Sequence, residues 1–381
     1  MDHKYIKISS TEEVTLRQEL AARSDQEAQR LRRFWAMPDL ARTAGSPIKE
    51  LADRITALPE FRDFDLLEVP EIVPTAVSFD LFNFPQDHPA RNRSDTYFLT
   101  PDYILRTHTT IMWYYHVGLA QVRAKLQAGE PIGALAYGKV YRKDEIDRQH
   151  MNVFHQLDGW YLCRRDERAL SIEDLKNILA QIARAIYGVQ IEYRFNQDTF
   201  PYTDPSLEME INKDGRWVEI LGSGMVHTKV LEKLGVDPKI YHGWAFGMGL
   251  ERLAILSMNL PDIRLLWSND ERVKKQLKLG NPYKEVSKYP PITRDISFIV
   301  SRDFVPNNYF DLIRDLGGDL VEEVKLLDHY DDPEKFGPDK TSYTYRIIYR
   351  SNERTLEARE VDPIQDKIYQ ETASQFNAQT R

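Results

Sequence analysis

Residues 142–159, RKDEIDRQHMNVFHQLDG, decide how the middle of this chain is read. Residues 132–142 (IGALAYGKVYR) before the polar stretch, and 152–163 (NVFHQLDGWYLC) after it, are both rich in strand formers. KDEIDRQHM separates them, so the pattern predicts an antiparallel pair with a long connection. Period-two geometry places Phe154, Gln156, Asp158 and Trp160 on one face of the second strand, and His155, Leu157 and Gly159 on the other. A face that presents an aromatic ring, an amide and a carboxylate suits a floor that stacks a base and grips an ammonium. A solvated strand edge accounts for it equally well. Arg142 ends the first strand, and Arg252 follows GMGLE at the mouth of a helix. Guanidinium groups on rigid elements suit nucleotide phosphates through bidentate, charge-assisted bonds. The commoner use of a lone arginine is a surface ion pair.

Working outward, residues 11–36 lack Gly and Pro and predict one or two polar helices, with a short helix over 48–58. Prolines 70, 74, 85 and 89 predict that 68–93 is extended chain, not helix. Ser171 and Asp174 form a variant capping box ahead of Leu175, Ile178, Leu179, Ile182 and Ile186, and Gly188 ends that helix. Residues 207–211 and 216–226 read as strands, and 243–258 runs from a strand through glycines into a helix. Three prolines within 280–291 mark a domain boundary. Beyond it the order strand, helix, strand, strand, helix fits a small α+β sandwich. The expected division is a helical segment over 1–65, a main body over 66–280 and a C-terminal domain over 287–381.

The 381 residues include 51 Lys+Arg and 59 Asp+Glu, a formal net charge of −8, with 42% hydrophobic and 29% charged residues. These values fit two or three globular domains and exclude disordered, collagen-like and coiled-coil classes. No run approaches the ~20 apolar residues of a membrane span. The first residues lack the apolar stretch of a signal peptide, and Asp2, Glu12 and Glu13 make a poor transit peptide. Cys163 is the sole cysteine, so neither an internal disulfide nor a Cys-rich zinc site is available. A reducing, cytoplasmic compartment is the expectation.

Gly133-x4-Gly138-Lys139 imitates a phosphate-binding loop, but Val140 follows in place of Ser or Thr, and the context is strand where a helix must open. Gly222-x-Gly224 and Gly247-x-Gly249 lack the third glycine of a dinucleotide fold. No H-E-x-x-H occurs. His150 and His155, five apart, would point to opposite faces of a strand.

Six motifs in order carry a family resemblance. Arg142 with KDEIDRQHMNVFHQLDG resembles motif 2 of class II aminoacyl-tRNA synthetases in its phenylalanine-specific form, and Gly247–Arg252 (GMGLER) resembles motif 3. Residues 105–110 (LRTHTT), 88–91 (HPAR) with 95–97 (DTY), and 200–206 (FPYTDPS) resemble signatures of phenylalanyl-tRNA synthetases, and Pro70 resembles the motif 1 proline. Residues 289–295 (YPPITRD) open a segment similar to the ferredoxin-fold anticodon-binding domain. The resemblance covers about residues 68–381. It implies an α+β protein: a class II antiparallel sheet flanked by helices, plus a C-terminal ferredoxin-like sandwich. The implied activity is activation of phenylalanine with ATP and Mg2+, then transfer to tRNA(Phe).

The resemblance also implies roles. Arg142 and His150 would contact phosphate, Phe154 would stack on adenine, and Arg252 would grip the terminal phosphates. His108, Thr110, Gln156 and Asp158 would surround the amino acid's polar end. Phe200 and Tyr202 would pack on its ring, and Ala245 would set the pocket depth. Glu208, Glu210 and Glu219 are candidate magnesium ligands. Three positions depart from the family pattern: Asp158 stands for Glu, Thr110 for Ser, and Tyr202 for the second Phe of FPF. A Tyr202 hydroxyl inside the pocket would alter the choice between phenylalanine and tyrosine; one pointing away would not.

Residues 287–381 are acidic overall, yet Thr344, Arg346, Ile348 and Arg350 share one strand face. Arg346 and Arg350 are therefore the candidate tRNA contacts. The family's single-chain form implies a monomer with no second subunit, and no membrane association. The alternatives are a class II ligase for another amino acid, a catalytically silent tRNA-binding paralogue, and an ATP-dependent ligase that never touches tRNA.

Overall fold

The computed structural model describes residues 3–286, 289–351 and 353–381. Contacts divide the chain into two units. The first holds residues up to 142, with 153–260 and 277–282; the second holds 143–152, 261–276 and 283–381. The expected domain start at 287 falls on a residue outside the described set.

The first unit is built on an eight-stranded sheet. In chain order its strands are β1 (Tyr5–Lys7), β2 (Asp65–Glu68), β5 (Ile132–Tyr141), β6 (Val153–Arg164), β7 (Tyr193–Asp198), β8 (Thr203–Lys213), β9 (Arg216–Val226) and β10 (Tyr241–Gly249). A separate antiparallel pair comprises β3 (Ile72–Pro74) and β4 (Tyr103–Leu105). The spatial order is β1-β2-β5-β6-β10-β9-β8-β7. The β1/β2 and β2/β5 pairings are parallel and the rest antiparallel. The hairpin expected from the central stretch is therefore β5/β6, aligned from Ile132 opposite Leu162 to Tyr141 opposite Val153.

Helix Ile172–Tyr187 starts at the reciprocal Ser171/Asp174 cap and buries Leu175, Leu179, Ile182 and Ile186. With helices Pro47–Thr56 and Leu250–Met258 it packs on the sheet. A second core gathers Trp113, Val117, Val122, Ala134, Ala136 and Trp160. Within it the Trp113 and Trp160 rings stack with centroids 5.2 Å apart, and Trp160 Nε1 donates to His116 Nδ1 at 3.1 Å.

Two expectations need correction. The segment 1–65, read as helical, also contributes β1 to the sheet edge. Leu66 N donates to Lys4 O, and Ile8 N to Glu68 O, a long-range pairing that local periodicity does not encode. The stretch 68–93, read as wholly extended, contains a wide helical turn at Ala76–Asp80 and a tight turn at Pro89–Arg91. Pro74 precedes the first turn and Pro85 follows it, so neither interrupts it, and burial of Val77 and Phe79 favours it.

The second unit carries a four-stranded antiparallel sheet, β12-β13-β11-β14. Its strands are β11 (Ile292–Ser301), β12 (Val321–Tyr330), β13 (Lys340–Tyr349) and β14 (Gln379–Thr380). Helices Pro306–Gly317 and Ala358–Phe376 cover an aromatic-rich core that includes Phe298, Tyr309, Tyr345 and Tyr349.

Candidate active site

The site in the first unit is organised by residues 106–110. Arg106 is buried and pins this segment by donating to Lys139 O and Val69 O, each at 2.6 Å. From there the segment reaches three predicted site residues, Arg142, Gln156 and Asp158. Thr107 O accepts from Arg142 Nε at 3.0 Å, and the Thr109 amide donates to Gln156 Oε1 at 3.3 Å. The Thr109 and Thr110 hydroxyls donate to the two Asp158 oxygens at 2.8 and 2.5 Å. His108 Nε2 lies 3.3 Å from Ser78 O.

Burial controls the charges here. Asp158 is 3% exposed, and desolvation pushes its carboxyl up to about 6, against the pull of the two threonine hydroxyls and Arg142. His108 is held down to about 3, first by burial and then by the Arg142 charge, so its imidazole is neutral. Its Nδ1, Ser78 Oγ and Trp113 Nε1 are buried without a hydrogen-bond partner among the described residues.

An aromatic enclosure adjoins this polar end. Tyr202 contacts Phe82 and Trp113 edge-on and lies against Phe84 and Phe200, at centroid distances of 5.9–6.2 Å. Phe84 also stacks on His108. The Tyr202 hydroxyl makes no hydrogen bond among the described residues, and burial raises its pKa, helped by the nearby Asp158 charge. Ala245 is 4% exposed, paired across the sheet with Trp160 and Gly224, in the core that Tyr202 packs against. Two glycines make the room. A Cβ on Gly247 would lie 2.9 Å from Asp158 Oδ1, and one on Gly222 would lie 2.7 Å from the Phe200 ring.

At the end expected from the sequence to hold nucleotide, Arg142 lies over the Phe154 ring, 5.2 Å from its centroid. Arg252 is half-exposed and pairs with Glu219 at 3.3 Å. Glu208 accepts from Asn196 at 2.9 Å, while Glu210 takes Asn196 at 2.8 Å and Arg194 at 2.5 Å. Among the described residues no three His, Cys, Asp or Glu side chains come together as a metal site. These glutamates, already engaged with amide and guanidinium groups, do not fit a ready-made cage. His150 belongs to the second unit, where its Nδ1 lies 2.8 Å from Asp147.

The imitation phosphate loop is strand, as expected. Lys139 is buried and donates to Trp35 O at 2.9 Å and Met37 O at 3.1 Å, which directs it into the fold. In the second unit, Arg346 makes a two-pronged pair with Asp295 at 2.7 Å, and Arg350 bonds buried Glu322 at 2.7 Å.

Sequence reasoning missed Thr109, Phe82, Phe84 and Trp113. Thr109 lay inside the quoted LRTHTT, where a second hydroxyl beside Thr110 was a usable signal. Phe82 and Phe84 lay in a proline-rich stretch, where no periodicity marks a wall.

Comparison with known proteins accords with this geometry. The family described as tRNA synthetases class II core domain (F) matches residues 36–277, and the ferredoxin-fold anticodon binding domain matches residues 287–381. The chain is 38% identical over 333 residues to the chloroplastic/mitochondrial phenylalanine–tRNA ligase of Arabidopsis thaliana, covering 84% of this chain and 73% of that one. It is 37% identical over 357 residues to the mitochondrial enzyme of Mus musculus, covering 84% and 75%. With the mitochondrial enzyme of Saccharomyces cerevisiae it shares 30% over 388 residues, covering 81% of each.

These organellar relatives overturn the cytoplasmic expectation. A chain with one cysteine cannot form an internal disulfide anywhere, so cysteine usage does not separate the cytoplasm from another compartment. The matched core, the matched C-terminal domain and relatives spanning most of the chain agree: the chain belongs to the phenylalanine–tRNA ligase family of class II aminoacyl-tRNA synthetases.

Proposed function

We propose that this aminoacyl-tRNA ligase joins phenylalanine to AMP at the expense of ATP, then passes it to the terminal ribose of tRNA(Phe). One observation carries the amino-acid assignment: a buried carboxylate, Asp158, held by two threonine hydroxyls beside a cluster of aromatic rings. Ionised Asp158 receives the α-ammonium, with Gln156, Thr110 and neutral His108 completing the polar end. Phe200 and Tyr202 enclose the ring by edge and face contacts, and Ala245 limits its depth.

In the first step a carboxylate oxygen of phenylalanine bonds to the α-phosphorus of ATP, and the α–β bridging bond breaks to release pyrophosphate. Arg142 offsets charge on the α-phosphate, Arg252 holds the terminal phosphates, and Phe154 stacks on adenine. No general base is needed, because the nucleophile is already ionised; positioning and charge stabilisation do the work. Magnesium comes with the nucleotide, whose phosphates and waters supply most of its ligands. Glu208, Glu210 and Glu219 would have to release Asn196, Arg194 and Arg252 before any of them could join its coordination shell. In the second step a ribose hydroxyl attacks the acyl carbon and AMP leaves. Residues 66–280 carry this chemistry, and 287–381 hold the anticodon end through Arg346 and Arg350. The protein acts as a monomer.

ATP–pyrophosphate exchange with each of the twenty amino acids, without tRNA, tests the reading. Exchange dependent on phenylalanine is expected. Exchange dependent on another amino acid would overturn the specificity, and none from folded protein would overturn the activity. Arg346→Ala is expected to weaken tRNA charging while sparing exchange; equal loss in both would refute the division of labour.

A further inference from the structure

Behind the strand that presents Phe154, Gln156 and Asp158 lies a buried ionic chain. His155 is fully buried. Its backbone N–H reaches both Glu251 oxygens, at 2.9 and 2.8 Å, and its Nδ1 lies 2.6 Å from Glu251 Oε1. On the opposite side of the ring, Nε2 lies 3.3 Å from Asp39 Oδ1 and 2.9 Å from the Leu40 amide nitrogen. The amide favours a neutral ring, whereas the two carboxylates favour the imidazolium. Burial also opposes the charge, but the carboxylates outweigh both and raise His155 to about 9. Asp39 is itself oriented by Arg42, 2.5 Å away, whose second nitrogen donates to Tyr137 O at 2.9 Å.

The middle and one end of this chain adjoin the nucleotide side. His155 follows Phe154, and Glu251 precedes Arg252. The amino-acid side has separate anchors, since Gln156 and Asp158 are held by Thr109 and Thr110. Buried ion pairs add little net stability compared with apolar packing, so their use here points to placement.

Resting on the function proposed above, we infer that Asp39 is a positioning residue for the nucleotide half of the site, acting through His155 and Glu251 on Phe154 and Arg252. Asp39 thereby takes part in nucleotide binding without touching the nucleotide.

The test uses the full chain and the variants Asp39→Asn, which keeps the shape, and Asp39→Ala. KM for ATP and KM for phenylalanine are measured separately by exchange, with Tm alongside. Small misplacements of binding groups are costly, so Asp39→Asn is expected to raise KM for ATP by about fivefold or more while KM for phenylalanine stays within about twofold. An unchanged KM for ATP in Asp39→Asn overturns the inference, whatever happens to Tm or to Asp39→Ala. Parallel rises in both constants overturn it too, since they indicate a general loosening. Failure of the unmutated chain to show phenylalanine-dependent exchange would instead defeat the functional reading, and is seen before any variant is made.

Discussion

Replacing Asp158 by Asn should stabilise the protein while crippling it. The carboxyl is pushed up to about 6 from an ordinary 3.8, because burial penalises the charged form more than two hydroxyl bonds and Arg142 relieve it. A folded-state pKa above the unfolded value means that ionisation costs folding free energy. The cost is absent below pH 3.8, grows between 3.8 and about 6, and is complete above that. Its full size corresponds to about 3 kcal/mol for an enclosed group. Asparagine removes the charge but keeps the shape, and the rotatable threonine hydroxyls can serve either an oxygen or an NH2 group. The variant should therefore gain about 1–3 kcal/mol near pH 7.5, after weaker neutral bonds replace charge-assisted ones. The gain should vanish near pH 4, where the native carboxyl is itself protonated. Phenylalanine-dependent exchange should fall by ~100-fold or more, since the α-ammonium loses its buried counter-charge. Denaturant unfolding across this pH range, with exchange assays on the same preparations, reads both effects. A variant less stable than the native protein at pH 7.5 would refute the desolvation argument, whatever its activity.

Gly247→Ala would put a methyl group 2.9 Å from Asp158 Oδ1, so KM for phenylalanine should rise at least ~10-fold, with a smaller change for ATP; separate titrations of the two substrates decide it. Tyr202→Phe removes a hydroxyl that makes no hydrogen bond among the described residues and retains the stacked rings, so KM for phenylalanine should stay within about twofold. A larger rise would show that the hydroxyl contacts the substrate or a water bound to it. His155 titrates near 9 when folded, above its ordinary 6.5, so its stabilisation is complete below pH 6.5 and is lost as pH rises through 9. The stability gap between the native protein and His155→Gln, read by denaturant unfolding, should shrink across that interval by about 3 kcal/mol.

The parts legible in sequence are those in which local pattern and tertiary role coincide. The β5/β6 hairpin followed from two runs of strand formers around a polar connection, and helix Ile172–Tyr187 followed from its cap and apolar stripe. The polar end of the pocket was readable because LRTHTT and FHQLD are compact runs whose residues act together. What escaped was long-range. β1 is three residues whose strand character comes from pairing with Asp65–Glu68, and no periodicity fits so short a segment. Phe82 and Phe84 become a wall only once the chain between prolines turns back toward Tyr202. Arg346 lies on β13 and Arg350 just past its end, and their carboxylate partners, Asp295 and Glu322, come from neighbouring strands invisible to a one-strand reading.

The strand order of the large sheet has a consequence for how the chain assembles. β1 is synthesised first, but it pairs with β2 about sixty residues later, and β2 in turn waits for β5 nearly seventy residues beyond that. The central strand β6 gains its second neighbour only when β10 emerges after residue 240, and that pairing sets Gly247 opposite Asp158. Such distant pairings carry a loop-closure cost before they return any stability. During translation β6 is thus left with one neighbour until β10 emerges, whereas every strand of the N-terminal edge, β1, β2 and β5, has emerged well before the middle closes.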